Sequence, residues 1–575
     1  LHVINVHNEE FSAIHLTDWC THEHALKEQI DKVINDYCIR DAVMIVDYPN
    51  WIHLAQILRE EYGFKIVTDY MDDYTGFLNP AEDMVKANCE KLLKTSDMIV
   101  ASSQFLYDIA AKYNTNLELI RNGTEFAHFH AAFGETKHVR KIIGYYGAVA
   151  EWFQADKVTY LARSLPECDI VIIGHVTKWE NSLRKYSNIK LLGEKPYDEL
   201  PGYLKDFDVC IIPFDTSTDL IKATNPVKFY EYLSAGKKIV ATQIPELEAY
   251  RDQYVYMADE DEKFAEYVKM CITGKDTLRS AAECAEFARN HDWQERYESF
   301  REASQKAVPK ISIVVLTFNN LEISRLCISS ILAKTAYPDY ELIIVDNCSS
   351  DGTREYLMEL SEREPIVKVI LNQENLGFAA GNNVGMREAK GDYIVLLNND
   401  TVVTRGWLTA LSKHMENNEM IGMCGPVTNS IGNEAKIKVD YHSMSELERF
   451  SYHYTTKHLN EEYRDINVLA LFCTMMRKRV VEECGHLDES YGIGMFEDDD
   501  YAEAVKAKGY SLVIAEDAFV HHFEGVSFKK IEDGAFMEIF EQNKQLYEKK
   551  WNKQWVKHKN RQGVAPVTNI DNTIL

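Results

Sequence analysis

Short apolar runs alternate with helical patterns along almost the whole chain. Runs rich in Val and Ile, such as DAVMIVDY, CDIVIIG, ISIVVLTF and YELIIVDN, are typical of strands that are buried on both faces. Strands that alternate with helices predict an α/β protein whose parallel sheets are covered by helices. In such sheets ligands bind at the carboxyl ends of the strands, so the residues that end each strand are the candidates for chemistry.

Two breaks in this pattern divide the chain into three predicted domains. A polar helical run, DWQERYESFREASQK, ends shortly before Pro309, and KISIVVLTFNN then begins a new first strand. An earlier break lies near residue 138, where KIIGYYG begins another strand. We therefore predict a partial lobe at 1–137, a second lobe at 138–307 and a third domain at 308–575 with a C-terminal helical extension. The chain begins without Met in a strand-like segment, which indicates that a further segment precedes it.

Composition and charge exclude several classes of protein. The 575 residues carry a net charge of −27, which disfavours nucleic-acid binding and broad contact with anionic lipid. No apolar stretch is long enough to span a bilayer, and the first residues lack the basic start of a signal peptide. Twelve Cys without a CxxC pair favour reduced, buried thiols in a cytosolic enzyme over a zinc site or a disulfide framework.

Polar groups end three predicted strands of the C-terminal domain. LTFNN ends at Asn319, IIVDNCSSDGT has Asp346 at its strand end, and LLNND ends at Asp400. In an open parallel sheet these ends face one crevice. Asp346 suits hydrogen bonds to a base or ribose, although a plain turn is the alternative reading of its loop. Asp400 suits a cation of the Mg²⁺ or Mn²⁺ type that is also bound by a diphosphate.

An acidic run, Glu497 to Asp500, opens a predicted helix that ends at Gly509. The helix dipole stabilises acids at this end, so part of the run is ordinary capping, but four acids exceed what a cap needs. The next strand ends at His521 and His522, which places an imidazole at the same edge of the sheet. A solvated His pair unrelated to any metal is the alternative.

Together these motifs resemble an inverting glycosyltransferase of family 2 with the GT-A fold. They occur in family order over most of residues 311–528: VVLTFNN, IIVDNCSSDGT, NQENLGFAAGNNVG, LLNNDTVV, GWL, FEDDDYA and HHFEGVSF. The resemblance implies that the Asp-X-Asp metal motif falls on residues 398–400, with Asn in place of its first Asp. The implied catalytic residues are Asp498, with Glu497 and Asp499 beside it, and the implied metal ligands are Asp400, His522 and His521.

The same resemblance implies a nucleotide-sugar site beside the implied metal. GFAAGNN alone is a weak phosphate-binding signal, and a plain helix start is the alternative. The chemistry requires a carboxylate that takes the proton of the acceptor hydroxyl and a cation that neutralises the leaving diphosphate. The candidates for donor binding in this domain are Thr317, Asn319, Asp346, Ser349, Asp351, Asn375, Gly381, Asn382, Asn398 and Asn399.

Residues 138–307 resemble the nucleotide-binding lobe of a GT-B glycosyltransferase of family 4. The matching segments are IIGYYGAVAEWF, LLGEKPYDELPGYLKDFDVCIIPF and TNPVKFYEYLSAGKKIVAT. The last contains a loop that leads into a helix whose N-terminal amides can hold phosphate. The family's Glu-X7-Glu motif is incomplete, because position 223 is Ala. The donor-binding candidates of this half are Gly144, Gly147, Asn225, Lys228 and Glu231, and no cofactor is expected here.

Three readings of the function remain open. The leading one is a bifunctional glycosyltransferase, with a metal-dependent, inverting GT-A half and a retaining GT-B half. It would transfer sugars from UDP-, dTDP- or GDP-linked donors, with rhamnosyl and galactofuranosyl transfer both common among similar GT-A enzymes, to a glycan or lipid-linked acceptor of a bacterial surface polysaccharide. The second reading keeps only the GT-A centre and makes the first half a scaffold or glycan-binding module. The third is a nucleotide-sensing or assembly protein without catalysis, which the acidic run disfavours. We expect a cytoplasmic protein with at most peripheral contact at the inner face of the membrane.

Overall fold

The computed structural model describes residues 23–74, 82–134, 138–523 and 533–561, which form two compact units. One unit contains the chain up to Met44, His53–Lys65 and the chain from Val308 onward. The other contains Ile45–Ile52 and Ile66–Ala307. Both consist of helices packed on largely parallel sheets, which confirms the predicted α/β class. No helix of the described residues is both long and apolar enough to cross a membrane.

The unit that ends at Ala307 is built on a four-stranded sheet and a six-stranded sheet. In the six-stranded sheet every neighbouring pair of strands is parallel. The four-stranded sheet has the order Val43–Val46, Lys65–Tyr70, Met98–Ala101, Leu117–Leu119, and the six-stranded sheet has the order Val255–Met257, Lys238–Ala241, Val209–Ile212, Ile142–Tyr146, Asp169–Ile173, Ile189–Leu191.

Short helices connect these strands and cover both sheets. Their ends follow local chemistry: the Ser280 hydroxyl accepts a hydrogen bond from the Glu283 amide, while the Glu283 carboxylate accepts one from the Ser280 amide, and this capping box starts the next helix. The helices, including short 3₁₀ turns, are Pro49–Trp51, Glu82–Thr95, Gln104–Ala110, Phe126–His130, Ala155–Ser164, Glu180–Leu183, Tyr197–Glu199, Leu200–Asp206, Asp219–Ala223, Val227–Ser234, Pro245–Tyr250, Asp261–Ile272, Ala281–Arg289 and Trp293–Gln305.

The C-terminal unit is built on a mixed sheet whose first four strands are parallel. Cys473–Arg477 then runs antiparallel to both of its neighbours. The order is Val367–Leu371, Tyr340–Asp346, Ile311–Thr317, Tyr393–Asn398, Cys473–Arg477, Ile421–Val427, Ser511–His522, Thr401–Val403, with Glu462–Tyr463 paired beside Ser511–His522. The helices are Glu23–Asp36, Ile52–Tyr62, Leu321–Lys334, Thr353–Arg363, Phe378–Glu388, Trp407–Asn417, Met444–Lys457, Lys478–Cys484, Glu489–Tyr491, Glu497–Ala507 and Asp533–Trp551.

The central strands of this sheet are largely apolar because both of their faces are buried. Val315 and Ile344 belong to one core layer, and Val314 and Ile343 belong to the layer on the other face. Successive side chains of a strand point to opposite faces, so a strand buried on both sides has no polar alternation. This packing explains the continuous runs ISIVVLT and YELIIVD.

The register of the sheet aligns the strand ends that the sequence singled out. Thr317 pairs with Asp346, and Leu316 pairs with Asn398, so three parallel strands end at one edge. The short strand after Asp400 pairs antiparallel with the end of Ser511–His522. These pairings bring the strand-end acid and the second imidazole of the His pair to the same place.

The N-terminal region differs from the predicted lobe at 1–137. The structure groups the described residues up to Met44, and His53–Lys65, with the C-terminal unit. Specific contacts explain this: the Arg40 guanidinium lies 4.2 Å from the Tyr452 ring centre, and Lys65 forms a 2.5 Å ion pair with Glu416. The boundary that follows the second lobe lies between Ala307 and Val308.

Candidate functional site

Asp400 and His522 form the central pair of the candidate GT-A site. Asp400 is 8% exposed, and its Oδ1 lies 3.3 Å from Nε2 of His522. Nδ1 of His522 lies 2.9 Å from the Ser430 carbonyl, which can only accept, so Nδ1 carries a proton. In the neutral imidazole Nε2 then has the lone pair that binds metals. Within the described residues no group of three or more His, Cys, Asp or Glu side chains forms a metal site.

His521 faces a different environment from His522. Its Nδ1 lies 2.6 Å from the Tyr441 hydroxyl, and its Nε2 is buried without a hydrogen-bond partner among the described residues. Burial and the neighbouring His522 lower the pKa of His521 to about 4. The structure therefore pairs Asp400 with His522, whereas His521 contacts Tyr441.

The two Asn residues before Asp400 are half-buried and do not act as equivalent ligands. Nδ2 of Asn399 donates to the Ser324 hydroxyl at 2.9 Å, so this side chain is bound to the helix Leu321–Lys334. The Asn398 carbonyl accepts from Thr401 Oγ1 at 2.7 Å, which shapes the turn that contains Asp400. The turn thus presents one carboxylate where the family motif has two.

Asp346 is fully buried and already hydrogen-bonded by the protein. Its carboxylate accepts from Thr317 Oγ1 at 3.1 Å and from the Ser349 amide at 2.9 Å, and Arg354 lies 3.4 Å away. Ser349 in turn accepts from the Asn319 amide at 2.7 Å. The predicted donor residues Thr317, Asp346, Ser349 and Asn319 are therefore one network, in which Asp346 organises the loop.

Asn319 and Asp351 hold the next part of this loop. Asn319 has a left-handed backbone with φ of 54°, and its side chain accepts from the Ser350 amide at 2.9 Å. Asp351 accepts from the Leu321 amide at 3.0 Å and from Thr353. Burial raises the pKa of Asp351, but these hydrogen bonds lower it more, so it lies below its ordinary value. The loop is held by its own hydrogen bonds.

The helix Phe378–Glu388 packs tightly on the strand that ends at Thr317. A Cβ at Gly381 would lie 2.6 Å from the Leu316 side chain, which would have to move for any larger residue. Asn382 donates to the carbonyl of Phe378 within the same helix at 3.0 Å. Asn375 is exposed and accepts from Asn347 at 3.1 Å. Of these three predicted donor residues, Asn375 has the side chain that solvent reaches most easily.

The last two acids of the acidic run are bound to the C-terminal residues. Asp500 accepts from Trp551 at 2.8 Å and pairs with Lys550 at 2.8 Å. Asp499 accepts from Nε1 of Trp555 at 3.0 Å and lies 3.3 Å from Nε2 of His558. These two acids anchor the residues that follow the C-terminal helix.

The first two acids of the run have no such partners. Oε2 of Glu497 is buried without a hydrogen-bond partner among the described residues, and Asp498 accepts a hydrogen bond from the adjacent Asp499 amide at 2.9 Å. Burial raises the pKa of both carboxyls, and repulsion from a neighbouring acid raises it further. A carboxylate with a raised pKa beside a ligand-binding edge is suited to accept a proton.

In the unit that ends at Ala307, Lys228 and Gly147 lie together. A Cβ at Gly147, whose φ is 130°, would lie 3.2 Å from Nζ of Lys228. Burial lowers the pKa of Lys228 to about 8, and the Phe214 ring centre lies 4.6 Å from the ammonium. Gly144 instead lies under the Phe207 ring, which leaves no room for a Cβ. Lys228 is the group in this half that can attract a phosphate.

Asn225 and Glu231 have different roles in the same helix–loop segment. Asn225 accepts from the Asn122 amide at 3.1 Å, and its carbonyl accepts from the Asn122 side chain at 2.8 Å. It therefore ties the two sheets of this unit together. Glu231 is 9% exposed, and burial raises the pKa of its carboxyl despite the positive charge of Lys228.

Sequence reasoning missed the residues that hold the candidate site in place. Asn429 pairs with the backbone of His522 through hydrogen bonds of 2.8 and 3.0 Å. It follows the strand Ile421–Val427 by two residues, so the strand-end rule applied to that strand would have found it. Trp555 and His558 carry no comparable signal, because they lie more than 50 residues from the acid they contact. Of the motif HHFEGVSF, the residues after Phe523 lie outside the described residues.

Each half of the chain matches a known family model. The family model "Glycosyl transferase family 2" matches residues 312–485, and "Glycosyl transferases group 1" matches residues 140–273. Glycosyltransferase AglE of Haloferax volcanii is 24% identical over 217 residues, which cover 37% of this chain and 67% of AglE. TuaG of Bacillus subtilis, assigned to teichuronic acid biosynthesis, is 32% identical over 92 residues, which cover 16% of this chain and 36% of TuaG.

The similarities are partial in length. The chain spans about a quarter to two thirds of the curated relatives that it matches first. The solved mannosyltransferase PcManGT from Pyrobaculum calidifontis, in complex with GDP-Man and Mn²⁺, is 16% identical with a TM-score of 0.33, and covers 44% of this chain and 66% of that one. That structural likeness is too low to carry an argument. The two family models match separate parts of the chain, which therefore contains a glycosyl transferase family 2 domain and a glycosyl transferases group 1 domain.

Proposed function

We propose that the family 2 domain transfers a sugar from a nucleotide-sugar donor with inversion at the anomeric carbon. The observation that carries this proposal is that the candidate acids lie on different elements and have different partners. Asp400 lies beside His522, while Asp498 belongs to a different element and, like Glu497, lacks the C-terminal hydrogen-bond donors that anchor the other two acids of its run. An inverting transfer needs a group at the leaving diphosphate and a separate base at the acceptor.

In this mechanism the acceptor hydroxyl attacks the anomeric carbon from the face opposite the nucleotide. The new glycosidic bond forms as the bond to the diphosphate breaks, and Asp498 takes the hydroxyl proton. The raised pKa of Asp498 makes this carboxylate a better base at neutral pH. The ordered loop of Asn319, Ser349 and Asp351 positions the nucleotide.

Asp400 and His522 would be suited to bind a divalent cation. Its remaining ligands would come from a diphosphate and water. Mg²⁺ and Mn²⁺ are bound in this way by one or two protein groups. The Ser430 carbonyl orients the imidazole for this purpose. When bound, such a cation neutralises the charge that develops on the leaving diphosphate.

In this proposal the group 1 domain transfers a second sugar, with retention, to the same glycan. Lys228 beside Gly147 is suited to a diphosphate, and the buried Glu231 is suited to a ribose. The similarity to TuaG supports a bacterial surface polysaccharide as the product. UDP-, dTDP- and GDP-linked sugars are the donor classes to test.

A single active centre is the second candidate. Asn225, which the family resemblance assigns to the donor, is committed to Asn122, and position 223 is a buried Ala. Both observations favour a group 1 domain that acts as a scaffold or glycan-binding module.

Donor turnover by the full chain tests the proposed function. A panel of UDP-, dTDP- and GDP-sugars should contain at least one donor that is consumed, and chelator should stop its transfer until Mn²⁺ or Mg²⁺ is restored.

Asp400→Asn should lower transfer by about 10²-fold or more, and added metal should not rescue it. His442→Gln, at an exposed His, is the control for His522→Gln. Undiminished transfer in excess chelator would refute the metal role, and no turnover across the panel would refute the function.

A further inference from the structure

The C-terminal residues Trp555 to Arg561 lie against the acidic run. Trp555 donates to Asp499 at 3.0 Å, and His558 lies 3.3 Å from the same carboxylate. Arg561 pairs with Glu516 at 2.6 Å and also donates to the Glu434 carbonyl. These residues lie outside the part of the chain that matches the family 2 model, which ends at residue 485.

Aromatic packing holds this C-terminal segment at the start of the acidic helix. The Trp555 ring centre lies 5.4 Å from that of Phe496 and 5.5 Å from that of Phe540. Phe496 has a left-handed backbone with φ of 72° and directly precedes the acidic run. Trp555 therefore contacts both the residue that sets the direction of the helix and an acid of its first turn.

Three carboxylates act on His558. Asp498 and Asp499 face it from the acidic helix, and Glu434 faces it from the loop after the strand Ile421–Val427. Burial lowers the pKa of His558, but these carboxylates raise it more, so it lies above the ordinary value for His. The imidazolium in turn acts on Asp498: burial and Asp499 raise the pKa of Asp498, and His558 counteracts part of that rise.

We propose that His558 is a positioning residue of the family 2 centre, which binds Asp499 and keeps the neighbouring Asp498 ionised for proton transfer. Trp555 supports this role by occupying the other hydrogen-bonding position on Asp499. These contacts distinguish the two acids. Asp499 is bound by His558 and Trp555, whereas Asp498 remains available to accept a proton. The inference rests on the proposed function, in which Asp498 is the base.

The pH dependence of transfer is the primary test. Without the imidazolium, Asp498 should be protonated up to a higher pH, so His558→Gln should move the acidic limb of kcat/KM upward by about half to one pH unit. We expect a loss of roughly three- to tenfold near pH 6 and little loss above pH 8, where Asp498 is ionised in both proteins. Lys559→Gln removes a nearby exposed charge and should leave the profile unchanged.

A readout that is independent of catalysis tests the contact itself. In the full chain labelled with ¹³C-histidine, the resonance of His558 should titrate above the ordinary midpoint near 6.5, and Asp499→Asn should lower that midpoint. Trp555→Phe keeps an aromatic ring at this position and removes the N–H donor, so it should reduce kcat while the protein remains folded.

The outcomes separate this inference from the proposed function. An active parent whose profile does not move in His558→Gln, or a loss that is equal at all pH values, would refute the positioning role alone. An ordinary titration midpoint for His558 would do the same. No transfer by the parent with any donor would refute the proposed function and, with it, this inference.

Discussion

At the scale of single residues, four consecutive acids divide into two pairs with different tasks. Asp499 and Asp500 accept hydrogen bonds from Trp555 and Trp551, so their charges are compensated. Glu497 is buried and Asp498 is half-buried beside them without such donors, and burial raises the pKa of both. Uncompensated buried carboxylates cost stability, and they are typical of sites where a protein needs a base.

Substitution of Asp498 should therefore reduce catalysis without reducing stability. Asp498→Asn keeps the size of the side chain and removes a half-buried charge that neighbouring acids repel, so turnover should decrease by about 10²-fold or more while nucleotide affinity stays normal. The melting temperature should be unchanged or higher. Enzyme kinetics, nucleotide titration and thermal unfolding measure the three quantities.

The matched control is Asp500→Asn in the same helical turn. It weakens the pair with Lys550 and the hydrogen bond from Trp551, so the melting temperature should decrease. If turnover instead followed Asp499 or Glu497 and spared Asp498, the base would be assigned to the wrong acid.

The sequence could predict where these acids lie but not how they divide. The run precedes a helical pattern, and its excess over ordinary capping is visible in the letters alone. The partners that distinguish Asp499 and Asp500 lie about 50 or more residues downstream, and only the packing of the C-terminal helix brings them close. The same limit applies to Asp400 and His522, whose proximity depends on an antiparallel pairing between distant strands.

At the scale of elements, the parallel strands were predictable and the antiparallel insertions were less so. ISIVVLTF, YELIIVDN and DYIVLLNN each form a strand, because each is a short apolar run that ends in polar residues. Cys473–Arg477 was not predicted as a strand. Its apolar residues follow a longer apolar stretch, NVLALF, so periodicity alone does not mark where a strand begins.

A charged cluster links the helix Trp407–Asn417 to the strand Ser511–His522. His414 lies 2.8 Å from Glu462 and 2.7 Å from Asp517, and Lys413 pairs with Asp517 at 3.0 Å. Burial lowers the pKa of His414, but the two carboxylates raise it more, so the folded pKa exceeds the ordinary value. The protonated imidazole therefore stabilises the fold.

This cluster predicts a pH-dependent stability. The contribution of His414 should be complete below the unfolded pKa near 6.5 and should be lost as pH rises through the higher folded pKa. Hydrogen bonds to charged groups contribute about 1.5–3 kcal/mol each, so the melting temperature of the parent should decrease between pH 6 and pH 9. His414→Gln should be less stable at pH 6 and should show a smaller decrease.

Thermal unfolding across this pH range, with His453→Gln as the exposed-residue control, measures the effect. Parallel pH curves for the parent and His414→Gln would show that His414 is not charged in the folded protein.

At the scale of the whole molecule, sequence order and structural grouping differ. The described residues before Met44 precede the group 1 domain in the chain but belong to the unit of the family 2 domain. Arg40 and Lys65 make contacts with residues some 350 to 420 positions later, which no local pattern can indicate. The division near Val308 was more visible, because a polar helix there meets a new apolar strand.

Two domains with separate candidate sites should lose their activities separately. Glu231→Ala removes a carboxylate that acts on donor bound in the group 1 domain, so it should stop one sugar addition and leave the Asp498-dependent addition intact. Asp498→Asn should have the opposite effect. Mass spectrometry of products on a short acceptor would show one missing addition for each variant, and Glu262→Ala, at an exposed acid, should give the full product. If Glu231→Ala leaves every product unchanged, the group 1 domain is a scaffold, and the family 2 centre alone performs the transfer.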